Sequence, residues 1–399
     1  MPAQPDGDPA PPDGRLPEGL NWDRPLRAYL HVPFCSSRCG YCDFNTYTAS
    51  ELGGFDVAGY VRAMIAEMDL AAAVGRTKPL ASVFIGGGTP SLLPPDELAA
   101  LLSALRDRIG IEGGAEITME ANPENVDPQA LEVWRAAGVN RLSLGMQSAD
   151  PGALRVLQRV HTPGRAVQAA GEARAAGFEH VSLDLIYGVP GQSTDSWRQT
   201  VLSALSAEPD HVSAYALGVE DGTALARQIR RGEVPAPDPD LAVDQYEIAD
   251  DVLSSHGFAW YEISNWARPG GPCAHNLGYW RADNWWGFGP GAHSHVDGIR
   301  WWNVKRPATY RAMLAAGSSP AAGRELLTAQ DRHVESVMLR VRMAEGFTVD
   351  DLPGDRVEHL RRDGLLENAD GARLRLTRKG RMLADAVVRV LLWDQATTG

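Results

Sequence analysis

The stretch Leu26-Arg27-Ala28-Tyr29-Leu30-His31-Val32-Pro33-Phe34-Cys35-Ser36-Ser37-Arg38-Cys39-Gly40-Tyr41-Cys42 carries the main signal of this chain. Residues Leu26–Val32 alternate as a strand does, then run straight into a loop holding three cysteines within eight positions. Four cysteines in 399 residues are too few for a disulfide scaffold, so three so close together call for a metal. Thiolates suit zinc or iron–sulfur clusters, and Cys35-x₃-Cys39-x₂-Cys42 supplies three with no fourth cysteine nearby. On a [4Fe–4S] cubane that count leaves one iron open. An open iron accepts the amino and carboxylate groups of S-adenosylmethionine, and an electron passed into the sulfonium releases a 5′-deoxyadenosyl radical. The alternative is a zinc site completed by His31, Asp43 or the remote Cys273.

Outward from the loop, the strand–helix alternation repeats. Residues 81–85, 115–121, 140–146, 180–187 and 211–217 read as strands, and 55–75, 96–109 and 127–137 as helices. Six βα steps imply a parallel sheet with helices outside, either open and doubly wound or a barrel, complete or partial. Ligands then gather at the strands' carboxyl ends, where the cysteine loop, Gly86–Ser91, Glu120, Gln147 and Asp184 all fall. Gly86-Gly87-Gly88-Thr89-Pro90 lets backbone approach a ligand, or simply turns the chain. Glu120 is a candidate acceptor for ribose hydroxyls, with Gln147 and Asp184 as further polar contacts and Arg159 as a cation for a carboxylate.

The chain ends read differently. Seven prolines in the first 25 residues, without the basic–apolar–small succession of a secretory signal, predict a disordered tail and a cytoplasmic protein. Pro235 to Asp240 marks a boundary, followed by a helix at 241–256, a strand at 258–264 and an irregular Gly/Trp-rich stretch through Trp302. From about Asp331 the pattern is helical, with a strand-like pair near 374–376, as in a winged-helix module. The expected units are 1–25, 26–235, 236–325 and 326–399. A formal net charge of −13 lowers the expectation of nucleic acid as a partner, and Arg361-Arg362 and Arg378-Lys379-Gly380-Arg381 are modest basic clusters. No segment is apolar for the length of a membrane span.

The CxxxCxxC spacing, with Tyr41 before the third cysteine, resembles the radical S-adenosylmethionine superfamily. The strings Met119-Glu120-Ala121-Asn122-Pro123, Arg141 through Gln147 and Asp184-Leu185-Ile186-Tyr187-Gly188, with Tyr29 and His31-Val32-Pro33-Phe34, resemble the oxygen-independent coproporphyrinogen III oxidase family. That resemblance implies a partial (β/α)6 TIM-like barrel with a C-terminal winged-helix-like α+β domain. It also implies cofactor contacts from Tyr29, Tyr41, Gly87, Gly88, Thr89, Glu120, Gln147, Arg159, Asp184 and Ala216.

Two features depart from the oxidases. They are similar to CxxxCxxCxC, but Phe44 stands where the further cysteine belongs. His275-Asn276-Leu277-Gly278-Tyr279-Trp280 resembles the HNxxYW signature of the HemW-type haem chaperones, which branch from that family. An imidazole can ligate haem, and flanking aromatics offer flat apolar surface, so His275 is a haem-ligand candidate ahead of Cys273, His293 and His295. The other reading is that His275 and Asn276 hydrogen-bond a loop. The resemblance implies a carrier of the cluster and S-adenosylmethionine that passes haem to haem-accepting proteins, with an unidentified electron donor and any membrane contact made peripherally through an acceptor. The alternative activity is oxidative decarboxylation of coproporphyrinogen III.

Overall fold

The computed structural model describes residues 7–74, 78–160, 162–349 and 352–393. Six strands form where the alternation predicts them: β1 (Leu26–Val32), β2 (Leu80–Gly87), β3 (Ile111–Ala121), β4 (Arg141–Gln147), β5 (His180–Tyr187) and β6 (His211–Ala216). They lie side by side in chain order, all parallel. An order that never reverses curls a sheet one way, as in a barrel, whereas a doubly wound sheet reverses at its switch point. Helices α1 (Val57–Val74), α2 (Pro95–Arg108), α3 (Pro128–Ala137), α4 (Arg165–Ala175) and α5 (Thr194–Leu205) return the chain between strands. Helix α3 shows the local logic: Asp127 caps the Ala130 N–H, Pro128 opens the first turn, and Gly138 at φ 108° closes the last.

The two-residue pleat sorts the strands into an apolar outside and a polar inside. Val83 and Ile85, Met119, Leu142 and Leu144, Val181 and Leu183, and Val212 are buried in the core beneath the helices. The intervening positions line an interior cavity: Tyr29 on β1, Phe84 on β2, Thr118 and Glu120 on β3, Arg141 and Ser143 on β4, Ser182 and Asp184 on β5, His211 and Ser213 on β6. A core on one face and a wet lumen on the other explain why these strands alternate even though helices cover them.

Residues 236–325 are not a separate unit, contrary to the boundary expected at Pro235. Helix α6 (Pro239–Ser255) is bonded into the barrel, since Gln245 accepts from Gly188 N (2.6 Å) and takes the Trp197 indole N–H on its carbonyl (2.7 Å). Strands β7 (Ala259–Glu262) and β8 (Asn265–Ala267) extend the sheet antiparallel from β6. The Gly/Trp-rich stretch is regular: helix α7 (Ala274–Trp280) precedes β9 (Asn284–Phe288), β10 (His293–Val296) and β11 (Ile299–Asn303). Strand β9 pairs in parallel with β1, and β10, β11 and β12 (Ala321–Leu326) follow antiparallel. One twelve-stranded sheet results, ordered β12-β11-β10-β9-β1-β2-β3-β4-β5-β6-β8-β7. Because β1 pairs with β9 rather than β6, the barrel is partial.

The N-terminal tail is also corrected. Residues 1–6 lie outside the described residues, but 7–25 are bonded to the sheet edge. Asp8 and Arg324 exchange backbone hydrogen bonds (2.9 and 2.8 Å), Ser319 N donates to Pro12 O (2.7 Å), and Leu16, Leu20 and Trp22 pack on the core. Proline lacks a donor but keeps its carbonyl, so a proline-rich strap can still be an acceptor along an edge.

After α8 (Pro307–Ala315), the C-terminal part comprises α9 (Ala329–Arg340), α10 (Gly354–Arg362), the hairpin β13 (Leu366–Asn368) with β14 (Leu374–Leu376), a short helix at Arg378–Met382, and α11 (Ala384–Leu392). It has its own apolar core, including Val341, Leu360, Leu376 and Val387. Its basic cluster faces inward: Arg381 grips Asp250 of α6 with both terminal nitrogens (2.9 and 2.7 Å), and Arg378 meets Asp251 (2.7 Å).

Candidate cofactor site

The cysteine loop is fastened on several sides. Phe34–Cys35 pairs in parallel with Tyr47–Thr48, closing the loop at its base. Gly40 N donates to Leu157 O (3.0 Å), and Gly40 O accepts from Leu225 N (2.8 Å). The glycine triplet holds the fourth side: Gly88 N donates to Val32 O (2.7 Å) and Thr89 N to Phe34 O (2.8 Å). A Cβ on Gly88 would stand 2.5 Å from Phe34 O and 3.0 Å from Cys35 Sγ, so glycine is required there by the cysteine loop itself.

Cys35, Cys39 and Cys42 all border the interior cavity, which measures about 500 Å³. Burial raises the Cys35 thiol and pushes Cys42 up to about 11, so both are neutral until a metal displaces their protons. Among the described residues, no three His, Cys, Asp or Glu side chains converge as ligands of a single ion would. Thiolates on separate irons of a cubane do not need to converge. Two proposed completions of a zinc site also fail. Both His31 nitrogens are taken, by Tyr29 OH and Asn45 O (2.9 Å each), and Cys273 lies on the cavity floor, donating to Glu116 (3.3 Å).

The remaining cofactor-contact candidates meet at the same cavity. Glu120 accepts from Gly87 N (3.1 Å); burial, then the nearby Asp184, push its carboxyl up to about 8. Asp184 accepts from Ser143 Oγ (2.8 Å), and burial raises it as well. A bulge between Gly145 and Gln147 puts Gln147 at φ 64°, a left-handed conformation that re-aims its side chain at the cavity. Arg159 points Nη1 at Cys39 Sγ (3.6 Å) and donates Nη2 to Gly145 O (3.1 Å), while its buried Nε has no hydrogen-bond partner. Tyr29, Tyr41 and Thr89 line the wall, and Ala216 ends β6 at the mouth. Three thiols, a glycine cradle, paired carboxylates and a cation with an unused donor fit a site-differentiated cluster with S-adenosylmethionine across it.

His275 is placed differently from the haem-ligand expectation. Helix α7 closes the amino-terminal end of the barrel, its first amides satisfied by the Glu116 carboxylate: Ala274 N and His275 N both donate to it at 2.9 Å. His275 is 1% exposed. Its Nδ1 bonds Ser82 Oγ (2.9 Å), its Nε2 bonds Tyr279 OH (3.0 Å), and burial lowers its pKa to about 3. His275 therefore sits in the cavity floor with both ring nitrogens hydrogen-bonded, and its partners lie on β2 and on α7 itself rather than on a loop. Asn276 donates to Tyr261 OH (3.2 Å) and Glu262 (3.1 Å). Gly278 is compelled, because a Cβ there would lie 1.9 Å from Arg27 Nε. Of the other haem-ligand candidates, Cys273 and His295 are buried and His293 is exposed.

Sequence reading missed the lower lumen: Thr118, Arg141, Ser143, Ser182, His211 and Ser213. The signal was available, since each lies an even number of positions from Glu120, Gln147, Asp184 or Tyr215 on its own strand.

Residues 29–204 match the radical SAM superfamily. The haem chaperone HemW of Mycobacterium tuberculosis is 54% identical over 372 residues, covering 92% of this chain and 95% of the relative. HemW of Bacillus subtilis is 32% identical over 379 residues, covering 92% and 99%. In fold, the chain is similar to the coproporphyrinogen III oxidase HemN of Escherichia coli, with a TM-score of 0.80 at 24% identity, covering 93% and 91%. Family membership implies a [4Fe–4S] cluster and S-adenosylmethionine, which the residues described above fit. The chain belongs to the HemW family within the radical SAM superfamily.

Proposed function

We propose that this protein is a haem chaperone, binding haem and delivering it to haem-accepting proteins while carrying a [4Fe–4S] cluster and S-adenosylmethionine. The observation that carries the reading is the 54% identity to a HemW along nearly the full length of both chains. The likeness to the coproporphyrinogen oxidase concerns the fold, and fold does not determine function. Phe44, 58% exposed at the mouth, also stands where a thiol would serve the oxidase pattern.

When bound, the cluster supplies an open coordination position and an electron for the sulfonium. This chain's residues do the rest. Cys35, Cys39 and Cys42 ligate; the loop's backbone anchors fix their spacing. Gly87, Gly88 and Thr89 bring backbone close to the methionine end, Arg159 offers its free N–H to a carboxylate, and Glu120 accepts from ribose hydroxyls once ionised. Helix α7 seals the barrel from below. The expected setting is the cytoplasm; among the described residues no helix is long and apolar enough to cross a membrane.

The test is anaerobic cluster reconstitution, followed by haem titration, transfer to an apo-haemoprotein, and a coproporphyrinogen conversion assay in parallel. The reading expects haem uptake and transfer without protoporphyrinogen formation. Turnover of coproporphyrinogen by a protein that retains no haem would overturn it.

A further inference from the structure

Strands β2, β3 and β4 put one layer of side chains across the lower lumen. Phe84, Thr118 and Arg141 are direct neighbours in register, and all three line the cavity. Thr118 lies two residues before Glu120 on β3, so the layer is about 7 Å deeper than the carboxylate assigned to the cofactor's ribose. Phe84 presents a ring braced by Tyr29 and His275, at centroid distances of 6.3 and 5.3 Å. Beside it stand two donors without acceptors. Thr118 and Arg141 are each 1% exposed, and among the described residues neither Thr118 Oγ1 nor Arg141 Nη1 has a hydrogen-bond partner. Arg141 Nη2 is used, donating to Gly271 O (2.9 Å). The Glu116 carboxylate stands 3.8 Å from Nη1, beyond hydrogen-bond reach, and is held by the Ala274 and His275 amides. Two adjacent buried donors left unpaired are costly, and both face the same open space.

We propose that this layer is a binding subsite for a small monocarboxylate with an apolar body. One carboxylate oxygen accepts from Arg141 Nη1, the other from Thr118 Oγ1, and the body lies against Phe84. The chemistry follows from the donors. A guanidinium keeps its charge at every working pH and so selects an anion, and a carboxylate offers two acceptors to two neighbouring donors. A phosphate dianion fits less well, because Glu120 and Asp184 line the same lumen and Glu116 stands beside Arg141. The cavity, at about 500 Å³, is of the size that holds small ligands. The subsite uses none of the side chains assigned to the cluster or to S-adenosylmethionine, and it does not depend on the chaperone reading.

The experiment titrates benzoate calorimetrically into the anaerobically reconstituted protein at saturating S-adenosylmethionine. Acetate, which has the charge without the body, and benzyl alcohol, which has the body without the charge, are the comparison ligands. Wild type should bind benzoate, acetate about tenfold more weakly, and benzyl alcohol not measurably. Thr118→Val keeps the side chain's shape and deletes a hydroxyl that has no partner in the protein. It should keep the wild-type melting temperature and cluster iron and weaken benzoate about fivefold, while Arg141→Gln should weaken it about tenfold or more. Should Arg141→Gln fail to fold, Thr118→Val decides alone. Unchanged benzoate affinity in Thr118→Val, equal binding of benzyl alcohol, or no benzoate binding by wild type would overturn the subsite. A lower melting temperature in Thr118→Val would show that the hydroxyl is already paired within the protein, and would overturn it too. Benzoate that binds only when S-adenosylmethionine is absent, with S-adenosylmethionine itself weakened in both variants, would give these donors to the cofactor instead.

Discussion

Replacing His275 by alanine separates a structural floor from a haem ligand. The substitution removes a fully buried ring that bonds Ser82 and Tyr279 and lies 5.3 Å, centroid to centroid, from Phe84. Loss of the packed ring and two hydrogen bonds should cost about 3–4 kcal/mol near pH 7.5. For 399 residues melting cooperatively, that is about 4 °C. The cost depends on pH. Burial holds His275 at about 3, whereas the unfolded chain titrates near 6.5, so between these values only the unfolded state binds the proton. The wild-type contribution is complete above about pH 6.5 and falls by about 1.4 kcal/mol per unit below it, or about 2 kcal/mol by pH 5. His275→Ala lacks that loss, so its deficit should shrink to about 1–2 kcal/mol at pH 5. Anaerobic denaturant melts at pH 7.5 and 5.0 read the deficit, and haem titration should give the wild-type Soret band. A deficit that does not change with pH, or a lost Soret band without lost stability, would refute the reasoning.

Three other outcomes follow from the site and its supports. Cys42→Ser should reconstitute with markedly less iron and sulfide than wild type and lose the EPR signal of a reduced [4Fe–4S] centre, whereas Cys273→Ser should retain both; stoichiometric zinc in the wild type would contradict the cluster. Because Glu120 is held up to about 8, S-adenosylmethionine should bind more tightly as pH rises from 7 to 8.5, and isothermal titration of Glu120→Gln should show weaker binding with that pH dependence gone. Asp250→Ala strands Arg381, which is 6% exposed, and should destabilise the protein by about 3–5 kcal/mol in denaturant melts; a change under 1 kcal/mol would mean the ion pair does not dock the C-terminal part.

The barrel was legible because its signals are local. Leu26–Val32 and His180–Tyr187 alternate within themselves, and the cysteines announce a metal by spacing alone. Glu120, Gln147 and Asp184 were found at strand ends, where such folds gather ligands. What stayed hidden depends on distant partners. Residues 284–303 looked irregular because each strand is only four or five residues long, and the pairing that makes β9 a strand, Trp286 beside Ala28, spans most of the chain. Prolines made the first residues look unstructured, yet the Pro12 carbonyl accepts from Ser319 N, which no local pattern reveals. His275 was read by its chemistry, while its role is set by Ser82 and Glu116, direct partners in space on two neighbouring strands but far away in sequence.

The pairing of β1 with β9 also bears on how the protein is made. The strand that ends in the cysteine loop is synthesised early, but its second neighbour, 284–288, emerges more than 250 residues later. Until then β1 has an open edge, with its N–H and C=O groups available to any other chain, and such long-range closure is slow. The cluster loop is also braced by Leu157 and Leu225, which arrive in between. Cluster insertion should therefore follow chain release, and nascent chains stalled before residue 284 should be aggregation-prone and poor in iron.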